Sequence, residues 1–361
     1  MNILINGYYG FDNLGDEAVL LALINQIRAA RPDAEITVMS AKPEITAKRY
    51  GVDAIHRNDR NLLNRVLAKA DLFLSGGGSL IQDVTSWRSP LYYLYIIHLA
   101  EAANVKTVIA CQGIGPINRN IIRFVTKLIL NKVSYITLRD MDSKTYLKEI
   151  IGVTEPVTAV AGDPALTIKT ETHKRIDAWW EENVSQDKQV LGLALRHTKY
   201  NSTDRYNSIL CAAKNWAKEN DGKLLFIPFM EKEDTSIAKD MTAKLNNEVD
   251  TIILDIKEIT PSEMIYLISK LKKLIAMRLH AAIFAAVAKT PTVAVSYDPK
   301  VASFCFSVDM PSIDITTVDE NLLSEELKNV KAPNEEKISK LKHKTINLIT
   351  KMITTRFLRI K

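Results

Sequence analysis

The sequence predicts an α/β protein built from two Rossmann-like halves. Short apolar runs of strand length alternate along the chain with amphipathic helix patterns, which is typical of a parallel sheet with helical crossovers. The alternation stops over a polar stretch at 165–188 and then starts again. A chain of 361 residues is also long enough for two domains. Ligands of such sheets bind beyond the carboxyl ends of the strands, so we expect the site in the cleft between the two halves.

The first half, residues 1–165, contains a well-marked first helix and a series of strand candidates. The helix is predicted over Gly15–Arg31, where Val19, Leu23 and Ile27 belong to one apolar stripe and Pro32 ends the pattern. The strand candidates are Ile3–Asn6, Glu35–Ser40, Leu72–Ser75, Thr107–Cys111, Tyr135–Leu138 and Val157–Val160.

The second half, residues 189–330, repeats the pattern after a linker at 166–188. Helix patterns at Tyr206–Glu219, Ser262–Lys270 and Ala281–Ala288 separate its strands. The strand candidates are Val190–Leu195, Lys223–Ile227, Thr251–Leu254, Leu274–Ala276 and Thr292–Val295.

Positive charge is concentrated in the C-terminal segment, residues 331–361. The whole chain has a formal net charge of +6, whereas this segment carries nine Lys and Arg residues and two acids, so the remaining 330 residues are close to neutral. Apolar residues recur at helical spacing within it, which predicts a basic amphipathic helix. Its apolar side either packs on the protein or, through 337–361, contacts anionic lipid head groups. Nucleic acid is not expected as a partner, because the rest of the chain lacks the basic and aromatic pattern.

The composition excludes several classes of protein. Apolar residues make up 47% and charged residues 25%, which is ordinary for a globular protein. Met1 leads directly into a strand-like run without the features of a signal peptide, and no apolar stretch approaches the roughly 20 residues that span a bilayer. The three cysteines are far apart and the acids are dispersed, so we expect neither a disulfide framework nor a metal site. We expect a cytoplasmic protein, which the tail could hold at the inner face of the cell membrane.

Two loops with glycines follow strands of the first half. In the first, residues 7–17, Asn13 is a candidate N-cap, and Asp16 and Glu17 could simply complement the dipole of the helix that follows. Alternatively, Asp12 or Asp16 could accept hydrogen bonds from sugar hydroxyls or act as a base. The second consists of Gly76, Gly77, Gly78 and Ser79, with Asp83 shortly after it. Three glycines at a strand end allow a ligand to approach the backbone closely. Neither loop has the spacing of a dinucleotide fingerprint or a P-loop.

Two further strand ends of the first half carry candidate residues. The segment 112–116 places two glycines and a proline after a strand. Arg139 and Asp140 follow the strand at 135–138. An arginine just beyond a strand end can clamp a phosphate or a carboxylate, although a surface ion pair with Asp140 would also explain it.

The second half collects cationic residues at its strand ends. Arg196, Arg278, His280 and Lys300 all follow strand candidates. Arg278 and His280 are two residues apart, so both could point to one side of an extended segment. Four such groups describe a pocket for a small, highly charged anion, and Tyr297 lies within the same stretch as Lys300.

These motifs resemble the polysaccharide pyruvyl transferases, and within them the enzymes that pyruvylate a secondary cell-wall polymer. The matching segments are GYYGFDNLGDEA (7–18), LSGGGSLIQD (74–83), QGIGP (112–116), TLRD (137–140), GDPA (162–165), MRLHAAIFA (277–285) and SYDPKV (296–301). The resemblance implies two Rossmann-type domains in the glycosyltransferase-B arrangement. It also implies transfer of the enolpyruvyl unit of phosphoenolpyruvate to a sugar, with formation of a cyclic ketal and release of phosphate. For the cell-wall branch, the resemblance implies that the sugar is N-acetylmannosamine in a lipid-linked precursor of the polymer. The pyruvylated polymer of that branch anchors surface-layer proteins.

The resemblance also assigns roles to residues. It implies that Arg278, His280 and Arg196 contact phosphoenolpyruvate, and it matches Lys300, Arg139, Asp12 and Asp16 to motif residues of the family. We expect Lys300 to bind substrate as well, together with residues of the strand-end loops: Tyr297, Asn13, Gly76, Gly77, Gly78, Ser79 and Asp83. The expected catalytic residues are His280, Arg139, Asp12 and Asp16. No cofactor is expected beyond phosphoenolpyruvate as donor substrate.

Two other functions compete with this one. A glycosyltransferase of the same fold would use a nucleotide sugar, but the small cationic cluster favours a compact anion. A non-catalytic sugar-binding protein would leave that cluster without a purpose.

Overall fold

The computed structural model describes residues 1–184, 188–198 and 203–355, and within them the chain forms two parallel β-sheets. It divides into two compact units, residues 1–167 with 341–361 and residues 168–340. The predicted linker therefore contributes most of its residues to the second unit, and the predicted C-terminal segment is shared between the two. Of these predicted segments, residues 185–187 and 356–361 lie outside the described residues.

The first unit contains a seven-stranded sheet with the order β3-β2-β1-β4-β5-β6-β7. Its elements are β1 (Asn2–Asn6), α1 (Leu14–Ala30), β2 (Glu35–Ser40), α2 (Pro43–Tyr50), β3 (Asp53–His56), α3 (Arg60–Leu67), β4 (Leu72–Gly76), α4 (Arg88–Ala102), β5 (Lys106–Gln112), α5 (Asn120–Leu130), β6 (Tyr135–Leu138), α6 (Met141–Thr145) and β7 (Val157–Val160). A π-helical turn, Tyr146–Ile151, continues α6, and a 3₁₀ turn, Pro164–Thr167, follows β7.

The second unit contains a six-stranded sheet with the order β10-β9-β8-β11-β12-β13. Its elements are α7 (Lys174–Asn183), β8 (Val190–Ala194), α8 (Thr203–Glu219), β9 (Lys223–Phe226), α9 (Glu231–Leu245), β10 (Thr251–Ile253), α10 (Pro261–Ser269), β11 (Lys273–Ala276), α11 (Leu279–Ala288), β12 (Thr292–Ser296), α12 (Pro299–Ser307), β13 (Ser312–Asp314) and α13 (Glu320–Asn329). The last helix, α14 (Glu335–Thr354), begins in this unit and continues into the first.

The inner strands are apolar on both faces because helices cover both sides of each sheet. In β1, Leu4 packs into one core, while Ile3 and Ile5 pack into the core on the opposite side. This explains why these strands appear in the sequence as continuous apolar runs rather than as alternating patterns. The predicted strand bounds agree with the structure to within one residue at each end.

Sequence analysis did not identify two strands, β3 and β13. Each lies at an edge of its sheet, where only one neighbour pairs with it. In β13 the burial pattern is exposed, buried, exposed, so Ser312 and Asp314 face solvent. Short edge strands with charged residues carry too little apolar signal to be recognised from the sequence.

The apolar side of α14 is buried against the first unit. Ile349 and Met352 are fully buried in the core that also contains β1, and Lys106 donates hydrogen bonds from Nζ to the carbonyl oxygens of Met352 (2.9 Å) and Thr355 (2.7 Å). Thr345 Oγ1 accepts a hydrogen bond from the backbone N–H of Gly162 at 2.8 Å. In the part of the tail that the structure describes, up to residue 355, the predicted apolar stripe therefore packs within the protein. Over the described residues, no helix combines the length and apolar character needed to cross a bilayer.

Candidate functional site

The two glycine-containing loops and two of the candidate arginines follow the central strands of the sheets, where the strand order changes direction. In the first sheet this point lies between β1 and β4, and the two glycine-containing loops follow these strands. In the second sheet it lies between β8 and β11, which are followed by Arg196 and Arg278. Open parallel sheets bind ligands at such switch points. Each unit thus contains one group of candidate residues.

The loop after β1 is held in place by a buried glutamate. Glu17, 3% exposed, accepts hydrogen bonds from the backbone N–H of Gly10 (2.8 Å) and from the hydroxyl of Tyr50 (2.6 Å). Tyr9 is also buried, and its hydroxyl donates to the carbonyl oxygen of Gly76 at 2.9 Å. These bonds fix the first loop against the glycine loop that follows β4.

The glycine loop packs so closely that side chains would not fit. Gly77 and Gly78 both have a φ of +65°. A Cβ at Gly77 would lie 1.9 Å from Cγ1 of Val19, and a Cβ at Gly78 would lie 2.7 Å from Oδ1 of Asp16. The Asp16 carboxylate is therefore next to the glycine backbone, and the two loops present it together with Ser79.

Arg139 joins this group from the end of β6. Its side chain, 9% exposed, donates to Asp140 (3.3 Å) and to the hydroxyl of Ser79 (3.4 Å). A Cβ at Gly113 would meet the Arg139 guanidinium at 2.6 Å, so the loop after β5 also contacts it. The structure thus brings Arg139, Ser79 and Asp16 to one edge of the first sheet.

Asp12 and Asn13 have different local roles. Asn13 caps α1, because its side chain accepts from the backbone N–H of Gly15 at 3.1 Å. Asp12 has a φ of +59° and forms an exposed ion pair with Lys42 at 2.5 Å. Its carboxylate is thus occupied on the side of the loop that faces α2.

Asp83 is a structural anchor beneath the loop that precedes α5. Its side chain is fully buried and accepts hydrogen bonds from the backbone N–H groups of Asn118 (2.7 Å) and Arg119 (2.9 Å). Burial alone would raise the pKa of Asp83, but these donors and the nearby Arg119 guanidinium outweigh it and lower the pKa below 3.8. This geometry gives Asp83 a role in shaping the loop.

The first loop itself contributes two aromatic side chains. The rings of Tyr8 and Phe11 are stacked, with centroids 4.1 Å apart. The Arg57 guanidinium lies over Phe11 (5.0 Å) and Tyr92 (4.1 Å), and the Tyr92 hydroxyl donates to the Arg57 carbonyl oxygen at 2.9 Å. Stacked rings with a fixed cation form a rigid, partly apolar wall beside the polar loop.

In the second unit, Arg278 is held by a carboxylate that sequence analysis did not identify. Arg278 occupies the N-cap position of α11 and is 9% exposed, and its Nη2 forms an ion pair with Asp234. Asp234 is itself buried and accepts hydrogen bonds from the backbone N–H groups of Phe229 and Met230, both at 2.9 Å. Glu233 lies 3.8 Å from the same Nη2 atom. The only sequence signal for Asp234 was its position in the helix that follows a strand.

The Nε atom of Arg278 is buried and has no hydrogen-bond partner among the described residues. A buried guanidinium N–H without an acceptor is unfavourable, since burial removes it from water. An anion bound at this strand end would supply the acceptor. The observation therefore points to a ligand site beside Arg278.

Arg196 is fixed by the aromatic residue beyond β12. Its Nη1 donates to the Tyr297 hydroxyl oxygen at 2.7 Å, and its Cζ lies 4.9 Å from the Tyr297 ring centroid. The hydroxyl of Tyr206 donates to the Arg196 carbonyl oxygen at 2.6 Å. Because β8 pairs with β11 at Ala194 and Ala276, Arg196 and Arg278 each follow a paired position by two residues.

His280 and Lys300 lie in the first turns of neighbouring helices. The prediction that Arg278 and His280 share one side of an extended segment is wrong, because α11 begins at Leu279. His280 is half-buried, and its ring lies 6.4 Å from that of Phe284. Lys300 pairs with Asp298 at 3.1 Å, and the Asp298 side chain caps α12. Thus Arg196, Tyr297, Arg278, His280 and Lys300 all follow the carboxyl ends of the adjacent strands β8, β11 and β12.

No group of three or more His, Cys, Asp or Glu side chains that could hold a metal ion occurs in residues 1–184, 188–198 and 203–355.

Solved structures with a similar fold span nearly the whole chain. UDP-GlcNAc 2-epimerase from Methanocaldococcus jannaschii has a TM-score of 0.63 at 14% identity and covers 96% of this chain and 98% of its own. Anabaena Alr3699/HepE in complex with UDP-glucose has a TM-score of 0.65 at 12% identity, with 98% of both chains covered. The E. coli ADP-heptose lps heptosyltransferase II has a TM-score of 0.56 at 16% identity, with 91% of this chain and 98% of that chain covered. These similarities confirm the predicted fold: two α/β domains, each with a parallel sheet, of the kind found in glycosyltransferase-B-like enzymes.

No individual curated protein sequence matches the chain. The family model of the polysaccharide pyruvyl transferases matches residues 13–299, which include every motif described above except the first residues of the β1 loop and the end of the SYDPKV segment. The chain therefore belongs to the polysaccharide pyruvyl transferase family.

Proposed function

We propose that this protein transfers the enolpyruvyl unit of phosphoenolpyruvate to a sugar and forms a pyruvate ketal. The main support for this proposal is the buried Nε–H group of Arg278, which has no acceptor among the described residues and could donate to a bound anion. It lies at the switch point of the second sheet, next to the strand ends that carry Arg196 and Lys300. Membership of the pyruvyl transferase family supports the same reaction class.

The cationic residues suit the two anionic groups of phosphoenolpyruvate. An arginine held in a fixed orientation can bind a carboxylate or a phosphate through two parallel hydrogen bonds. Arg278 is fixed by Asp234, and Arg196 is fixed by Tyr297. The N-terminus of α11 adds backbone N–H donors beside Arg278. Lys300 would stabilise charge on the departing phosphate.

The reaction uses two hydroxyl groups of the sugar. Addition of the first hydroxyl oxygen to C2 of phosphoenolpyruvate requires a proton at the methylene carbon, which becomes a methyl group. The second hydroxyl oxygen then replaces the phosphate on the same carbon, and the ketal ring closes. Overall, the sugar loses two hydroxyl protons. One becomes part of the methyl group, and the other leaves with the inorganic phosphate that is released. His280 is the proposed proton donor or acceptor at the donor side, because an imidazole ring can both give up and take up a proton under physiological conditions.

Asp12 or Asp16 is proposed to remove a proton from an acceptor hydroxyl. Asp16 is the better placed of the two, because its carboxylate lies beside Gly78, and the hydroxyl of the next residue, Ser79, contacts Arg139. The Asp12 carboxylate is instead paired with Lys42. The stacked rings of Tyr8 and Phe11 offer a surface on which a sugar ring could pack.

We further propose that the acceptor is N-acetylmannosamine in a lipid-linked cell-wall precursor. The support is the resemblance of the motifs to the enzymes that act on secondary cell-wall polymers, whose products anchor surface-layer proteins. Such an acceptor would place the enzyme at the inner face of the cell membrane.

The test measures phosphate release from phosphoenolpyruvate with a synthetic lipid-linked N-acetylmannosaminyl–N-acetylglucosamine acceptor, and records the mass of the product. Phosphate release together with the mass gain of one pyruvate ketal is expected. Phosphoenolpyruvate should also raise the melting temperature, because it binds the native state. Stabilisation by UDP-sugars and none by phosphoenolpyruvate would instead favour a nucleotide-sugar-dependent glycosyltransferase.

A further inference from the structure

Helix α5 exposes an apolar stripe on the surface of the first unit. Ile121 is 66% exposed, Phe124 57% and Leu128 49%. Their spacing of three and four residues places all three on one face of the helix. We call these three residues the α5 face.

The α5 face is separate from the side of the helix that packs in the core. Ile122, Thr126 and Leu130 are buried, and they recur every four residues on the opposite side. The helix is therefore apolar on two sides, and core packing explains only one of them. Single exposed apolar residues are common, but an aligned set on one helix marks an interaction surface.

The segment that contains the α5 face carries positive charge only. Residues 102–139 contain six Lys and Arg residues and no Asp or Glu. Arg119, Arg123, Lys127 and Lys132 lie within α5 or within two residues of its ends. Lys127 and Lys132 are exposed, and the Arg119 side chain is 51% exposed although it contacts Asp83.

A second exposed apolar residue lies beside the first turn of α5. Val84 is 61% exposed and directly follows Asp83, whose carboxylate bonds the backbone N–H of Arg119. This buried anchor fixes Val84 next to the amino end of the helix. Because α5 follows the carboxyl end of β5, this end of the α5 face lies at the same edge of the sheet as Ser79 and Arg139.

We propose that the α5 face docks on the surface of a bilayer that contains anionic phospholipids. Apolar side chains on one face flanked by lysine and arginine are the features of a helix that lies in the membrane interface. The helix would lie parallel to the membrane, with Ile121, Phe124 and Leu128 among the acyl chains and the basic residues at the head groups. The apolar residues of α14 do not offer such a surface, because Ile349 and Met352 are fully buried.

Charge complementarity favours a lipid surface over a second copy of the chain. A two-fold interface through the α5 face would bring Lys127 and its basic neighbours close to their own copies. Like charges that face each other across a protein interface generally weaken binding by several kcal/mol. An anionic bilayer neutralises them instead.

The test is sedimentation of the full-length protein with vesicles of phosphatidylglycerol and phosphatidylcholine. The variant Ile121→Gln/Phe124→Gln/Leu128→Gln should lower the partition coefficient at least about tenfold, because three apolar side chains no longer insert. Lys127→Gln/Lys132→Gln should lower it by about fivefold per charge, and raised salt should have a similar effect. Pure phosphatidylcholine vesicles should bind much less protein.

Phe306→Gln is the matched control, because Phe306 is 86% exposed on α12 in the second unit. This change should leave the partition coefficient within about twofold. Equal binding by the α5-face variant and the wild type would overturn the proposal. So would a concentration-dependent dimer that the α5-face variant abolishes, if the wild type does not sediment with vesicles.

Membrane docking and pyruvyl transfer can fail separately. With a soluble acceptor, the α5-face variant should release phosphate at the wild-type rate. If neither protein releases phosphate while the variant still loses vesicle binding, the proposed reaction fails and the docking surface stands.

Discussion

Arg278 forms an ion pair with Asp234, a buried carboxylate 44 residues earlier in the chain. Asp234 is held in turn by the backbone N–H groups of Phe229 and Met230. This arrangement fixes the guanidinium group before an anion binds, and it compensates part of the cost of burying the charge. We therefore regard Asp234 as a positioning residue for Arg278.

Asp234→Asn should raise the KM for phosphoenolpyruvate about tenfold or more, with kcat changed by less than about threefold. The asparagine has nearly the same shape, but it cannot hold the guanidinium by charge. Steady-state phosphate release at varied phosphoenolpyruvate concentration measures both constants. Glu233→Gln is the control and should change KM by less than about twofold, because Glu233 is 3.8 Å from Arg278 and 56% exposed. A lower KM in Asp234→Asn would mean that the carboxylate competes with the substrate.

His280→Ala should lose most of the turnover, about 10²- to 10⁴-fold, and still bind phosphoenolpyruvate within about tenfold of the wild type. The reason is that a proton-transfer group acts mainly in the transition state. Phosphate release gives the turnover, and the shift in melting temperature with phosphoenolpyruvate gives the binding. His98→Ala, at an exposed position on α4, should change neither quantity. Normal turnover in His280→Ala would exclude the assigned role.

Asp83→Asn should lower the free energy of unfolding at pH 7 by about 2 kcal/mol, because the amide group cannot accept hydrogen bonds from both Asn118 and Arg119. The pKa of Asp83 is lowered in the folded state, so its contribution is present above the ordinary value of 3.8 and is lost as the pH falls below it. Urea unfolding should therefore show the largest difference from wild type near neutral pH. Asp53→Asn, at an exposed position, is expected to stay within about 0.5 kcal/mol. An equally stable Asp83→Asn variant would argue against the anchoring role.

Gly77→Ala should destabilise the protein by at least about 2 kcal/mol more than Gly51→Ala. Both glycines have positive φ, +65° and +61°, so both substitutions carry a similar backbone strain. Only at Gly77 would the new Cβ meet a side chain, Cγ1 of Val19 at 1.9 Å, whereas the nearest atom at Gly51 is 3.6 Å away. Thermal and urea unfolding measure the difference. Equal losses would show that the glycine loop can move away from α1.

Local patterns were sufficient to predict the inner strands. An inner strand such as β4, Leu72–Gly76, is buried at every position. Its sequence is therefore a continuous run of apolar and small residues, which can be recognised without the structure. The edge strand β13 lacks this signal, because Ser312 and Asp314 face solvent. The positions of Arg139, Arg196 and Arg278 at strand ends could be predicted in the same way, because each follows a recognisable apolar run.

The sequence by itself therefore determined the two-domain α/β fold, the candidate residues at the strand ends and the family to which the chain belongs. Only the tertiary structure decided the strand order, and hence which strand ends are neighbours. It also decided that Asp234 holds Arg278, that Asp83 anchors the loop before α5, and that the apolar side of α14 is buried whereas one of the two apolar sides of α5 is exposed. These features depend on contacts between residues far apart in the chain. The spacing of neighbouring residues encodes the periodicity of one element, but not the surface on which that element packs.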